Sequence, residues 1–195
     1  MFPIKKAVKD QSQTLYFFSD GGIRLQPPAA SAAVVVKNKQ GQVVDWYSRL
    51  LPPLSSSEAE YYGLLEALRM AQRLQPAMAY FHLDNQTVVG QITGHYAVRE
   101  PRLKPLYAQS VKLVEQLRAD KTLREIAFYF IPREYNLLAD ALAGDALLLA
   151  PQKQLWSRLT ASGESSGQKP LYTEQTELSR SKRFRFNGTS KTNKS

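Results

Sequence analysis

The chain has 195 residues, 43% of them hydrophobic and 22% charged, with a formal net charge of +9. Such a length suits one domain with its own buried core plus some additional chain, and the composition is globular rather than fibrous. There is no cysteine, which excludes disulfide frameworks, zinc fingers, iron–sulfur sites and thiol nucleophiles, while the basic balance points to a polyanionic partner without naming one.

The chain opens Met1-Phe2-Pro3-Ile4-Lys5-Lys6 and then turns polar. It lacks the apolar core of a secretory signal, and no apolar run reaches the roughly 18 residues of a membrane span. A soluble, cytoplasmic protein with no membrane partner is expected. Residues 1–14 read as a short leading segment.

Leu15–Ser19 is an apolar and aromatic run that stops at Asp20-Gly21-Gly22, which reads as a strand followed by a turn. Ser31–Lys37 is a Val/Ala strand, Asn38–Gly41 a turn, and Gln42–Leu50 the returning strand of a hairpin, stopped by Pro52-Pro53. Leu64, Leu65, Leu68 and Ala71 fall at helical spacing and predict a long helix ending at Leu74, before Pro76. Met78–Leu83 reads as a buried strand and Asn85–Gly94 as a short helix. Pro101 and Pro105 mark a break before an amphipathic helix over Leu106–Arg118. Glu125–Ile131 is a fifth strand, and Asn136–Leu149 a closing helix ended by Pro151. The order β-β-β-α-β-α-α-β-α calls for an α/β domain over residues 15–150, with a five-stranded mixed sheet and helices on both faces.

Residues 151–195 have a different composition. They carry nine basic and three acidic side chains, against 17 and 14 in residues 1–150, so two-thirds of the excess charge lies there. The stretch is rich in Ser, Thr, Gly, Gln and Asn, and Arg180–Ser195 holds six Lys/Arg and no acid. It reads as a disordered basic tail. Phe184 and Phe186, set between Arg183 and Arg185, suit stacking on bases with phosphates paired alongside.

Four acids stand at element ends: Asp20 after the first strand, Glu60 at the opening of the long helix, Asp84 after the fourth strand and Asp140 in the first turn of the last helix. Functional groups collect where strands end and helices begin. Four converging carboxylates need a hard multivalent cation, and oxygen-only ligands suit magnesium or manganese. Each acid also has a local explanation. Asp20 can start a turn, Ser57-x-x-Glu60 matches a capping box, and Asp84 can cap a helix. Asp140 can face solvent. Yet Asp140 sits among Leu137, Leu138, Ala139, Ala141, Leu142 and Ala143, and Asp84 directly follows Tyr80-Phe81-His82-Leu83. Neither is a place for idle charge.

Five segments in this order, Phe18–Gly22, Ser57–Tyr61, Leu83–Gln86, Pro101–Tyr107 and Ile131–Ala143, resemble type 1 ribonuclease H, in its compact, archaeal-like branch. The resemblance spans about residues 15–149 and implies the ribonuclease H-like three-layer fold. It implies that Asp20, Glu60, Asp84 and Asp140 hold two divalent ions (Mg2+ or Mn2+). It further implies hydrolysis of the RNA strand of an RNA–DNA hybrid, with 5′-phosphate and 3′-hydroxyl products, by a two-metal mechanism. Carried over on the same motifs, the substrate contacts are Gly21, Gly22, Ser55, Ser56, Ser57, Asn85, Arg102, Lys104 and Arg133. A monomer is expected.

The chain departs from the family pattern in three places. Ile23–Ala30, with Pro27-Pro28, replaces a glycine-rich loop that approaches the RNA backbone, and proline supplies no backbone donor. Ser55-Ser56-Ser57 replaces Thr-Asn-Asn. Arg133-Glu134-Tyr135 stands where many members have a histidine. Of the two histidines, His82 lies inside a strand and His95 just past the short helix. The alternatives are a nuclease of different substrate preference on the same fold and a non-catalytic nucleic-acid-binding domain.

Overall fold

The structure, a computed structural model, describes residues 13–148. Both the leading residues before Gln13 and the basic stretch 151–195 lie outside the described residues.

Five strands form one sheet: β1 (Thr14–Leu25), β2 (Pro28–Asn38), β3 (Val43–Leu51), β4 (Met78–Leu83) and β5 (Glu125–Phe130). Their spatial order is β3-β2-β1-β4-β5. The β1–β2 and β2–β3 pairs are antiparallel hairpins, while β1–β4 and β4–β5 are parallel. Parallel neighbours need crossovers, supplied by helices α1 (Ser56–Leu74), α2 (Gln86–Ile92) and α3 (Leu103–Ala119); α4 (Leu137–Leu148) closes the fold.

The burial of β1 alternates, with Leu15 and Phe17 inward, as period-2 strand geometry requires. Those two side chains join Val34, Val36, Phe81, Leu64 and Leu68 in the main core, between the sheet and α1 with α3. Phe17, Phe81 and Phe128 form a stacked row across β1, β4 and β5, with centroids 4.9 and 5.0 Å apart. On the opposite face α4 lies over β1, β2 and β3. β2 is therefore covered on both faces, and Ala29 to Val36 are all buried. The α/β class, the mixed five-stranded sheet and the helices on both faces are as the element order required.

Three local expectations are corrected. Asp20-Gly21-Gly22 is not a turn: β1 runs straight through it to Leu25. Glycine fits there because α1 backbone comes close to Gly21 and the side chains of Ser31, Ala143 and Leu147 come close to Gly22. A Cβ on Gly21 would lie 2.2 Å from the carbonyl carbon of Ala59 in α1, and one on Gly22 would lie 2.7 Å from Ser31 Oγ. Ile23–Ala30 is not a loop but the tip of the β1–β2 hairpin, turning at Gln26-Pro27 through a cis peptide. Arg24 holds this tip, donating from Nε to Pro27 O (3.0 Å) and from Nη1 to Leu147 O of α4 (2.6 Å). Finally, α3 starts at Leu103, so Pro105 lies inside its first turn, where a missing N–H costs no helical bond.

Candidate active site

The site lies where β1 and β4 pass the N-termini of α1 and α4. Asp20 is in β1 and Asp84 directly follows β4. Glu60 is carried by the first turns of α1, and a Cβ on Gly63 would lie 2.7 Å from Asp20 O. Gly21 and Gly63 thus let α1 press its backbone against β1, which delivers Glu60 to Asp20. In that setting Gly21 is a packing position against α1, and Gly22 one beneath Ala143 and Leu147 of α4.

Asp20, Glu60 and Asp84 each offer a carboxylate oxygen, and these oxygens lie within 4.8 Å of one another. Asp20 and Glu60 are buried, at 6% and 9% exposure. Burial, then the charges of Asp84 and Asp140, push the Asp20 carboxyl up to about 6. Burial, then Asp20 and Asp84, push Glu60 up to about 9, against the opposing pull of a hydrogen bond from the Asn85 side chain. The Oε2 atom of Glu60 is buried and has no hydrogen-bond partner. Like charges this close cannot all ionise without a compensating cation. Hard carboxylate oxygens, one of them orphaned, fit a divalent ion such as magnesium or manganese.

Asp140 stands beside this triad. It is near enough to raise Asp20, but its own Oδ1 accepts from Arg133 Nη2. Arg133 lies in a short 3-10 turn (Arg133–Tyr135) ahead of α4, its side chain 74% exposed and its pKa raised by the hydrogen bond to Asp140. The structure brings all four predicted acids to one place, three as a tight cluster and the fourth paired with a cation.

The local explanations for these acids are settled by the caps. Ser55, not Ser57, caps α1: its Oγ accepts from Glu58 N (3.3 Å), and Glu58 Oε2 accepts from Ser55 N (2.9 Å). Those bonds hold Glu58 below the ordinary carboxylate range and leave Glu60 free of capping duty. Asn85, not Asp84, caps α2, accepting from Val88 N at 3.1 Å. Ser56 is exposed and Ser57 half-buried at the same N-terminus. Arg102, at the start of α3, is close enough to help lower Glu58, and Arg102 and Lys104 are both exposed. His82 is in the sheet, and His95 Nδ1 lies 2.7 Å from Thr93 Oγ1.

One residue of the site was not singled out by sequence reasoning. Asn136 is buried, at 1% exposure, and its Nδ2 donates to Ser19 O (2.9 Å) and to Asp84 Oδ1 (3.1 Å). Its signal was present: an Asn immediately before the helix that carries Asp140, with its own carbonyl accepting from Ala139 and Asp140. Its long-range bonds were not legible.

A family model described as reverse transcriptase-like matches residues 18–146. The bifunctional protein Rv2228c of Mycobacterium tuberculosis is 34% identical over 135 residues, 69% of this chain and 35% of that protein. The chain therefore spans about a third of the length of this curated relative. Ribonuclease HI of Halobacterium salinarum is 25% identical over 138 residues, 71% of this chain and 66% of that one. Among solved structures, the N-terminal RNase H domain of Rv2228c is 31% identical with a TM-score of 0.65, covering 73% of this chain and 99% of that one. LC11-RNase H1, solved in complex with an RNA/DNA hybrid, is 27% identical with a TM-score of 0.60, covering 68% and 96%.

Proposed function

The chain belongs to the type 1 ribonuclease H family, and from that premise we propose that it is a divalent-metal-dependent endonuclease cutting the RNA strand of RNA–DNA hybrids. The observation that carries the reading is the cluster of Asp20, Glu60 and Asp84, with two carboxylates buried and one oxygen unpartnered. Asp20, Glu60 and Asp84 would hold the ions, with Asp140 contributing from α4. Two bound ions of Mg2+ or Mn2+ would supply positive charge at the scissile phosphate and acidify the attacking water.

The chain's own residues do the rest. Asn136 orients the Asp84 carboxylate, and Asn85 orients that of Glu60. The exposed Arg133 guanidinium meets substrate phosphate while keeping its pairing with Asp140. Ser55, Ser56 and Ser57, together with Arg102 and Lys104, lie around the N-termini of α1 and α3 and would contact the hybrid backbone. Ser55 has the least freedom, since its hydroxyl also donates to Glu58 Oε2 at 2.7 Å. Gly21 and Gly22 contribute backbone groups only. The products carry 5′-phosphate and 3′-hydroxyl ends.

The test uses a labelled RNA–DNA hybrid with Mg2+ or Mn2+, beside single-stranded RNA, double-stranded RNA and DNA. Wild type cuts only the hybrid's RNA strand, and Asp20→Asn and Asp84→Asn each abolish cleavage. Cleavage surviving both substitutions refutes the assignment. Hybrid binding by wild type without any cleavage makes the chain a binding domain instead.

A further inference from the structure

Strands β3 and β5 end the sheet, and their outer edges meet no further strand among the described residues. β5 has six residues with α2 beside it, whereas β3 has nine. A free edge offers main-chain donors and acceptors to another strand, and proteins blunt such edges with lysine, proline or short length. β3 contains neither lysine nor proline. Val43, Val44, Trp46 and Leu50 are all exposed on it. Asp45 Oδ1 accepts from the main-chain N–H of Trp46 at 2.9 Å, and this bond is exposed, so that N–H lies on the outer side of the strand.

The order of residues along β3 makes this edge complementary to itself. Turned end for end about Tyr47, the strand sets Asp45 opposite Arg49, Trp46 opposite Ser48, and Val43 and Val44 opposite Leu51 and Leu50. Outward main-chain groups recur at every second residue, so a symmetric antiparallel pairing centres on a residue. Centring on Asp45 or on Arg49 opposes like charges, which destabilises a sheet. Centring on Trp46 or on Ser48 sets both charges against Tyr47, Val43 or Leu51. Of these five registers, only the one about Tyr47 joins acid to base.

Both charges lie on the α1 side of the sheet. Asp45 Oδ2 is 2.8 Å from Arg73 Nη2, and Arg49 Nη2 is 3.2 Å from Glu66 Oε1. In the register about Tyr47 these pairs extend into a row of alternating sign: Arg73 and Asp45 of one copy, then Arg49 and Glu66 of the other. The N–H of Trp46 passes from its own Asp45 side chain to the carbonyl of Ser48 in the second copy. The β2–β3 register skips Val44, and this bulge confines the regular ladder to Asp45–Arg49. We propose that β3 pairs antiparallel with β3 of a second copy, Asp45 against Arg49, and joins two five-stranded sheets into one of ten. The contact is isologous, so it closes at two chains. Its two-fold axis stands perpendicular to the sheet, with both α1 helices on one face and both α4 helices on the other.

Sedimentation equilibrium on the full-length chain, between micromolar and millimolar, tests this. Wild type is expected to pass from the mass of one chain to that of two as concentration rises. Asp45→Arg sets arginine against Arg49, and Arg49→Asp sets aspartate against Asp45. Each alone should raise the dimer Kd at least about tenfold. An equimolar mixture of the two variants restores opposite charge at both pairs and should recover the dimer to within about threefold of wild type. Recovery on mixing separates the interface from any loss of folding. Ser48→Pro removes the main-chain donor that meets Trp46 of the second copy, and should hold the chain monomeric with its circular dichroism unchanged. A wild type that stays monomeric up to millimolar overturns the proposal. So does a wild-type dimer that survives Ser48→Pro, which assigns the contact to another surface. Monomeric Asp45→Arg and Arg49→Asp variants that do not associate on mixing overturn the pairing of Asp45 with Arg49.

Discussion

The two buried carboxylates set a pH dependence whose sign is fixed by their environment. Asp20 is raised to about 6 and Glu60 to about 9, both above the values they have in the unfolded chain. Between the unfolded and folded values the native state keeps protons that the unfolded state has lost, so the metal-free protein loses stability as pH rises from about 4 toward 9 and levels off above. In chelator, Glu60→Gln is expected to raise Tm at pH 8 and to flatten that decline, and thermal melts across pH check both. Added Mg2+ should restore stability to the wild type and not to this variant. A second expectation concerns Asn136, whose loss frees Asp84. Asn136→Ala should lower kcat by about 10–100-fold while the fold persists, read by steady-state kinetics beside circular dichroism. The acids themselves were legible in the sequence because charge beside strand-type apolar runs demands a partner. Asn136 was not, because its meaning depends on a bond to Ser19, 117 residues earlier.

The helix–strand crossing at α1 and β1 is what builds the triad, and it rests on two residues with no side chain. Gly21→Ala would place a methyl 2.2 Å from the backbone of Ala59 and Glu60. Backbone cannot rotate away as a side chain can, so α1 must shift. The expected cost is at least about 3 kcal/mol, with loss of metal binding measured by calorimetry in whatever fraction still folds. Phe81→Ala, at the centre of the stacked Phe row, should cost about 3–5 kcal/mol in denaturant melts. Local chemistry read Asp20-Gly21-Gly22 as a turn because that is the common use of paired glycines. A strand pressed by a helix has the same need, and only tertiary packing separates the two uses. The capping box shows the same limit. Ser55-x-x-Glu58 and Ser57-x-x-Glu60 both match it, and the backbone takes the first. Element order, sheet type and helix faces were readable because hydrophobic period and length determine them.

For the molecule as a whole, the charge divides by region. On the proposed function the domain would concentrate acids where a polyanion binds, which fits its small basic excess of 17 basic against 14 acidic side chains in residues 1–150. Arg180–Ser195, with six Lys/Arg, lies outside the described residues. If it grips hybrid phosphates, deleting 180–195 should weaken hybrid binding and shallow the plot of log K against log salt by about 0.7–0.9 for each phosphate no longer neutralised. Filter binding from low to moderate salt reads the slope. An unchanged slope means that those cations neutralise no phosphate.

The last helix is fastened at both ends to the first strand and its hairpin, through Asn136 to Ser19 and through Leu147 to Arg24, across separations of 117 and 123 residues. Bonds of such span close long loops at a high entropy cost and tend to form late. On a ribosome, α4 is also the last described element to emerge. A nascent chain that has already paired its five strands thus holds three carboxylates together and still lacks the fourth. On the function proposed above, competence to cut would arrive only after the sheet is complete and the last helix has docked, so the order of synthesis itself would withhold activity until α4 is in place.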